Sequence, residues 1–231
     1  MTTLDTTLPA DPMRNTALQY EDALGKLVLV GFFLWLLSNS LGAVTALVLR
    51  PGHDLMWALT LISHTASVGF VGLIVWLTVT RKAPIDVATG VEARVSAFFG
   101  TFILLSLIAV PRAEVGETQA FVATLLIIVG TLSSILCLWW LGRAFAVAAA
   151  ARELVTSGPY AYVRHPLYTA EAITVAGVIL FNGSLAAVLV GVLQVFFQYR
   201  RIVNEEKVLG RAFGSYAAYK ASTPMILPRL F

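Results

Sequence analysis

Residues 172–199 read AITVAGVILFNGSLAAVLVGVLQVFFQY, 28 residues without a charge, with Asn182-Gly183-Ser184 in the middle. As one helix this stretch is roughly 42 Å long at 1.5 Å per residue, well beyond the ~30 Å hydrocarbon core of a bilayer. Asn-Gly-Ser is a strong turn signal. The stretch therefore reads as two arms, 167–181 and 185–200, folded into a hairpin. Which reading holds decides how many times the chain crosses a membrane and where its two most polar segments meet.

Four more charge-free stretches precede it: 27–49, 55–80, 95–111 and 118–142. Together with the hairpin they cover 119 of the 231 residues. The first, second and fourth are long enough to span, and the third is marginal. All are apolar without a polar stripe, as expected of helices that face lipid or are buried all round. The chain is 58% hydrophobic and 13% charged, with a mean hydropathy of +0.81. Average soluble domains carry about 25% charged residues. This balance excludes a soluble globular enzyme, a disordered chain and a nucleic-acid-binding module.

The placement of the basic residues chooses between the readings. With six spans, Arg14, Lys26, Arg81, Lys82, Arg94, Arg143, Arg152, Arg164, Arg200, Arg201, Lys207, Arg211, Lys220 and Arg229 share one side, and only Arg50 and Arg112 lie on the other. With five spans the count becomes 8 against 8. The positive-inside rule favours six spans with both termini cytoplasmic, and it accounts for the net charge of +3 without nucleic acid. The expected fold is thus all-α: a polytopic helical membrane protein with about six transmembrane helices, the last two forming the hairpin. Residues 1–26 form a polar cytoplasmic segment, loose at Pro9 and Pro12, with a short interfacial helix over 14–25. Residues 27–142 form four spans on the lipid and substrate side. Residues 143–231 carry the chemistry. The single cysteine, Cys137, excludes an internal disulfide or a cysteine-based zinc site, and no metal is expected. Within the spans His64 is the one ionisable candidate; with Ser63 and Thr65 beside it, it reads as a packing residue.

Two segments crowd polar groups against the cytoplasmic face. In the first, Ser157-Gly158-Pro159 forces a turn, and Pro166 drives His165 into an extended conformation while starting the next helix. Arg164, His165 and that helix start form a natural anion site, with Tyr160, Tyr162 and Tyr168 as flat surfaces nearby. An interfacial belt of aromatic and basic residues is the bland alternative. In the second segment, Arg201 and Glu205 share one helix face and Arg200 and Asn204 the next. Read blandly, this is a solvated helix end with an intrahelical ion pair worth about 0.2–0.5 kcal/mol. The hairpin brings 200–206 back beside 164–168.

Leu154-Val155-Thr156-Ser157-Gly158-Pro159-Tyr160, Arg164-His165-Pro166-Leu167-Tyr168, the hairpin, Arg201 with Glu205-Glu206 and Leu209, and Phe213-Gly214 with Tyr216 and Tyr219 together resemble the isoprenylcysteine carboxyl methyltransferase family, part of a wider group with phospholipid N-methyltransferases. The resemblance covers about 143–230. It implies S-adenosylmethionine as methyl donor and S-adenosylhomocysteine as product. It implies that Leu154, Val155, Tyr160, His165, Pro166, Leu167, Tyr168 and Glu205 bind the cofactor. Arg201 would hold the methyl-accepting group, and His165, Arg201 and Glu205 would be catalytic. Arg152 and Glu153 fall in the same stretch without matching by type, and Ala170 stands where many members have Gly. The implied reaction is O-methylation of a lipophilic or lipidated substrate, a carboxylate of isoprenylcysteine type, in a cell inner membrane or an ER-type membrane. A phospholipid amine or a thiol is the alternative acceptor, for which Glu205 or His165 would serve as base. From other classes, an NADPH-dependent sterol-reductase-like enzyme and a non-catalytic lipid-binding protein are the competing readings.

Overall fold

The computed structural model describes residues 12–49, 52 and 54–228, with side chains from residue 23 onward. The expected loose segment around Pro9, the side chain of Arg14, and Arg50 and Arg229 lie outside what is described. Seven helices make up the fold among the described residues: α1 (Pro12–Val48), α2 (Leu55–Thr80), α3 (Val91–Phe102), α4 (Glu117–Leu141), α5 (Pro166–Asn182), α6 (Leu185–Ala212) and α7 (Tyr216–Ser222). The expected short helix over 14–25 is not separate; it runs without a break into the first span. The third span is α3 continued by a 3-10 turn, Ile103–Ile108. The fold is all-α apart from one two-residue antiparallel bridge, β1 (Asp86–Val87) to β2 (Ala150–Ala151), with Asp86 opposite Ala151.

Among the described residues, five helical segments are long and apolar enough to cross a bilayer: Ala23–Val48, Leu55–Thr80, Val91–Ile108, Glu117–Ala144 and Leu185–Ala212. α5 is shorter, with 17 residues, or roughly 26 Å of helix. The turn is where the sequence puts it. Gly183 closes α5 in the left-handed conformation at φ 70°, which glycine adopts without a Cβ penalty. Ser184 caps α6, its Oγ accepting from Ala187 N at 3.1 Å and donating to Asn182 Oδ1 at 2.6 Å. The outer surface is strongly apolar. Trp35, Trp76, Trp139 and Phe196 are each more than half exposed, a pattern that soluble monomers avoid and lipid tolerates.

The loops sort to two ends. At one, Ala113 N donates to Asn182 O at 3.0 Å, Gln119 Nε2 donates to Leu180 O at 2.9 Å, and the Arg112 guanidinium lies over the Phe181 ring. At the other, the 81–90 loop joins 143–151: Lys82 N donates to Arg143 O at 3.0 Å and Ile85 N to Ala151 O at 2.7 Å. The closest helix pairing is α4 with α5. Gly130 and Gly177 make it possible. A Cβ on Gly130 would stand 2.9 Å from Ala170 O, and one on Gly177 2.8 Å from Ala123 O. Small residues let helix backbones approach in lipid, where no hydrophobic force drives helices together. The apolar core joins Phe33 of α1, Ile74 and Leu77 of α2, Cys137 and Leu138 of α4, and Leu167 of α5.

Candidate active site

A cavity of about 310 Å³ opens where α5, α6, α7 and the 143–165 loop meet. Its size falls within the range of small-molecule sites. Leu154, Val155, Tyr160, His165, Tyr216 and Tyr219 line its loop end. Phe33, Leu36, Phe70, Ile74, Leu138 and Leu141, from the first, second and fourth spans, line its apolar end. Tyr168, Glu171, Gln194, Gln198, Arg201 and Glu205 line it too.

Local sequence positions each group. Gly158 adopts φ 59°, where its hydrogen sits against the Trp140 indole in a space too small for a Cβ. The turn it starts, Gly158–Ala161, buries Tyr160, whose carbonyl accepts from Tyr219 Oη at 2.6 Å. Burial drives the Tyr160 hydroxyl well above the ordinary phenol range. Burial also raises Tyr219, to about 12, with nearby Arg164 opposing the shift. Both phenols therefore remain hydrogen-bond donors at neutral pH. Pro166 begins α5 and His165 precedes it. The chain end folds over this corner: Arg164 N donates to Pro224 O at 2.8 Å and His165 N to Met225 O at 3.0 Å.

The anion held at this corner is the protein's own. Arg164 Nη2 lies 2.6 Å from Glu206 Oε1, Lys220 Nζ lies 2.7 Å from Glu206 Oε2, and His165 Nε2 lies 3.4 Å from Glu206 Oε1. The expected exogenous-anion site at Arg164 is thereby corrected: its cation is spent inside the fold. Tyr162 is 72% exposed and contributes no wall, a second correction.

The structure brings His165, Tyr168, Arg201 and Glu205 together. His165 Nδ1 stands 3.8 Å from Glu205 Oε2, and Tyr168 Oη donates to Glu205 Oε1. Arg201 and Glu205 do not form the intrahelical ion pair of the bland reading. Instead the Arg201 guanidinium lies over the Tyr168 ring, 5.1 Å from its centroid. Its Nη2 donates to Val147 O at 3.0 Å, and its Nη1 to Gly100 O at 3.3 Å and to Gln198 Oε1 at 3.2 Å. Gly100 leaves the room for this: a Cβ there would lie 2.5 Å from Arg201 Cδ. Leu154, Val155, Tyr160, Pro166, Leu167 and Tyr168 surround the same region, Pro166 buried behind the lining. Arg152 is buried and donates to Lys82 O, while Glu153 pairs with Lys82 at 2.6 Å. His64 does not line the cavity.

Several cavity residues escaped the sequence reading. Gln194 and Gln198 are two of them; with the expected Arg201 and Glu205 they recur at intervals of four, three and four, which places all four on one face of α6. That polar stripe was visible inside the hairpin. Glu171 stands three residues beyond Tyr168, one helical turn into the apolar arm, and corrects the expectation that His64 is the one ionisable group in the spans. The walls from α1 and α2 carry no motif and come only from packing.

Two curated relatives align with part of the chain. The cobalt-zinc-cadmium resistance protein CzcN of Cupriavidus metallidurans is 38% identical over 78 residues, 33% of this chain and 36% of that protein. The nickel-cobalt-cadmium resistance protein NccN of Alcaligenes xylosoxydans xylosoxydans is 33% identical over 79 residues, 34% of this chain and 37% of that protein. The chain thus spans about a third of the length of these relatives. Residues 118–216, from α4 to the first residue of α7 and including the loop, the hairpin and the Arg201–Glu205 face, match the phospholipid methyltransferase family.

Proposed function

We propose that the protein is an S-adenosylmethionine-dependent methyltransferase of the membrane that modifies a lipophilic acceptor. The observation that carries this reading is one cavity shared by a polar loop end and an apolar span end, with Tyr160, His165, Tyr168, Glu171, Gln194, Gln198, Arg201 and Glu205 all contributed by the segment that matches the phospholipid methyltransferase family. The residues suit the donor. Glu205 is a carboxylate on the cavity, apt for an α-ammonium group. Tyr160 Oη, Gln194 Oε1 and Arg201 Nε are buried without hydrogen-bond partners, and such groups cost free energy until something pairs with them. Leu154, Val155, His165, Leu167 and Tyr168 complete the wall, with Pro166 buried behind it.

The donor supplies a methyl group already activated on a cationic sulfur, so the protein's task is positioning and desolvation. Tyr168 holds Glu205 in place through its hydroxyl. The apolar end, open to side chains from α1, α2 and α4, takes the lipid portion of the acceptor. The basic excess on the loop side supports a cytoplasmic orientation for that end and for both termini.

For the acceptor, the resemblance of the C-terminal segment supports a carboxylate of isoprenylcysteine type, held by Arg201. A specific observation favours a second reading, a lipid amine. Both Nη atoms of Arg201 already donate to protein acceptors, and Glu171 and Glu205 both line the cavity. A further carboxylate would meet two like charges and a committed guanidinium.

Purified protein in detergent is expected to bind S-adenosylmethionine and S-adenosylhomocysteine at least tenfold more tightly than NADPH. It is also expected to transfer radiolabelled methyl groups to at least one of a panel of prenylcysteine analogues, aminophospholipids, fatty acids and thiols. Tighter binding of NADPH, or no label in any acceptor, overturns the proposal.

A further inference from the structure

The cavity holds one carboxylate that no motif accounts for. Glu171 lies on α5 and lines the cavity. Gln198 Nε2 donates to its Oε2 at 2.6 Å, and Gln198 Oε1 accepts from Arg201 Nη1 at 3.2 Å. This relay orients the carboxylate from α6. Among the described residues the Gln198 amide is the one hydrogen-bond partner of Glu171, so Oε1 is left for whatever enters. A carboxylate placed in an apolar span is costly and marks function by default.

The charges around it are unbalanced. Cys137 on α4, Tyr160 in the 158–161 turn, Tyr168 on α5, and Arg201 and Glu205 on α6 are the titratable or charged groups that act on Glu171 or feel it. Arg164 pairs with Glu206, and Glu153 with Lys82. That leaves Glu171 and Glu205 facing Arg201, whose Nη atoms are already engaged, and His165, whose Nδ1 stands 3.8 Å from Glu205 and does not reach Glu171 at hydrogen-bond distance. Such a cavity attracts a cation and repels an anionic head group.

We propose that Glu171 is the acceptor-side carboxylate of this site, binding the ammonium head group of an aminolipid and removing its proton. The proposal rests on the methyltransferase reading of the same cavity. In the step, an N–H bond of the ammonium breaks, its electron pair stays on nitrogen, and the proton forms an O–H bond with Glu171 Oε1. The neutral amine then carries the lone pair that an alkylation needs, which the ammonium lacks. Glu171 returns the proton to water after the methylated lipid leaves. Glu205 is left for the donor, so the two carboxylates divide the work.

The test uses the full chain in nanodiscs with phosphatidylethanolamine, phosphatidic acid and a prenylcysteine as probes. Without any donor, the wild type binds phosphatidylethanolamine in preference to phosphatidic acid, and Glu171→Gln loses that preference. With donor, Glu171→Gln leaves S-adenosylmethionine affinity within twofold and lowers methyl transfer to phosphatidylethanolamine roughly 100-fold at neutral pH, the scale of a general base. Its rate then recovers about tenfold per pH unit as the free amine grows. Glu171→Asp keeps the wild-type pH profile at a rate about tenfold lower, and carries the test if the Gln variant does not fold. Unchanged transfer and an unchanged pH profile in Glu171→Gln overturn the proposal. So does a wild type that methylates the prenylcysteine carboxylate or a thiol but no amine, in which case the methyltransferase reading stands. A wild type that neither binds the donor nor methylates any probe overturns both.

Discussion

At the scale of single residues, Glu205 and Arg201 separate binding from architecture. Glu205 is partly exposed on the cavity and, among the described residues, is tied to the protein by Tyr168 alone at hydrogen-bond distance. Glu205→Ala removes a charge without orphaning a buried backbone group. Charge-assisted hydrogen bonds contribute about 1.5–3 kcal/mol. Isothermal titration should therefore show S-adenosylmethionine affinity falling roughly 10- to 100-fold, with a modest loss of melting temperature because the buried Tyr168 hydroxyl loses its acceptor. Arg201 is different: it is 8% exposed and satisfies the carbonyls of Gly100 and Val147. Arg201→Ala takes this donor from the buried Val147 carbonyl, at about 1–3 kcal/mol, while Gly100 O keeps Gln194 Nε2 at 2.9 Å; the variant should lower the melting temperature in detergent as well as abolish transfer. Equal, mild effects from the two variants would return the pair to a surface role.

At the scale of elements, the decisive contact is α4 against α5, because α5 carries His165 at its start and both Tyr168 and Glu171 on its first two turns. Glycines set that spacing. On Gly130, a Cβ would lie 2.5 Å from Thr174 N and 2.9 Å from Ala170 O, which are backbone atoms that cannot rotate away. Gly130→Ala is therefore expected to push the helices apart and cost about 1–3 kcal/mol, the usual range for overpacking, measured as a lower melting temperature. Gly210→Ala meets nothing nearer than 3.7 Å, from a Tyr216 ring carbon, and should be nearly neutral. A destabilised Gly210→Ala with an unchanged Gly130→Ala would contradict this packing.

These same elements show what the sequence can and cannot disclose. Hairpin, turn and spans were legible because each is a local property: charge-free length, Asn182-Gly183-Ser184, Pro166 at a helix start. The meeting of 164–168 with 201–206 followed from topology. The fate of Arg164 was not legible, because its partners Glu206 and Lys220 lie 42 and 56 residues away, and a free cation and a paired one read alike in one dimension. Arg201 likewise looked like half of an i,i+4 pair with Glu205, whereas its carbonyl partners Gly100 and Val147 belong to segments with no motif. Glu171 was obscured by position, since one charge at the edge of an apolar arm reads as a boundary.

At the scale of the whole molecule, the proposed methyl transfer requires the polar end of the cavity to face an aqueous compartment and its apolar end to face lipid. The grouping of loops supports that orientation. The loops around residues 82–90, 143–165 and 213–226 come together at one end, while Ala113 and Asn182 meet at the other. Cysteine accessibility tests it directly. The native Cys137 is buried, so Cys137→Ala provides a silent background. Leu185→Cys places a thiol on an exposed position just after the hairpin turn, and Ala221→Cys places one on the exposed side of α7. In intact cells a membrane-impermeant maleimide should label the first and spare the second; in inside-out vesicles the order should reverse. Labelling of both from one side would mean that the hairpin does not cross. α5, at roughly 26 Å, would then lie as a re-entrant arm, and the basic residues would divide 8 against 8 between the two sides.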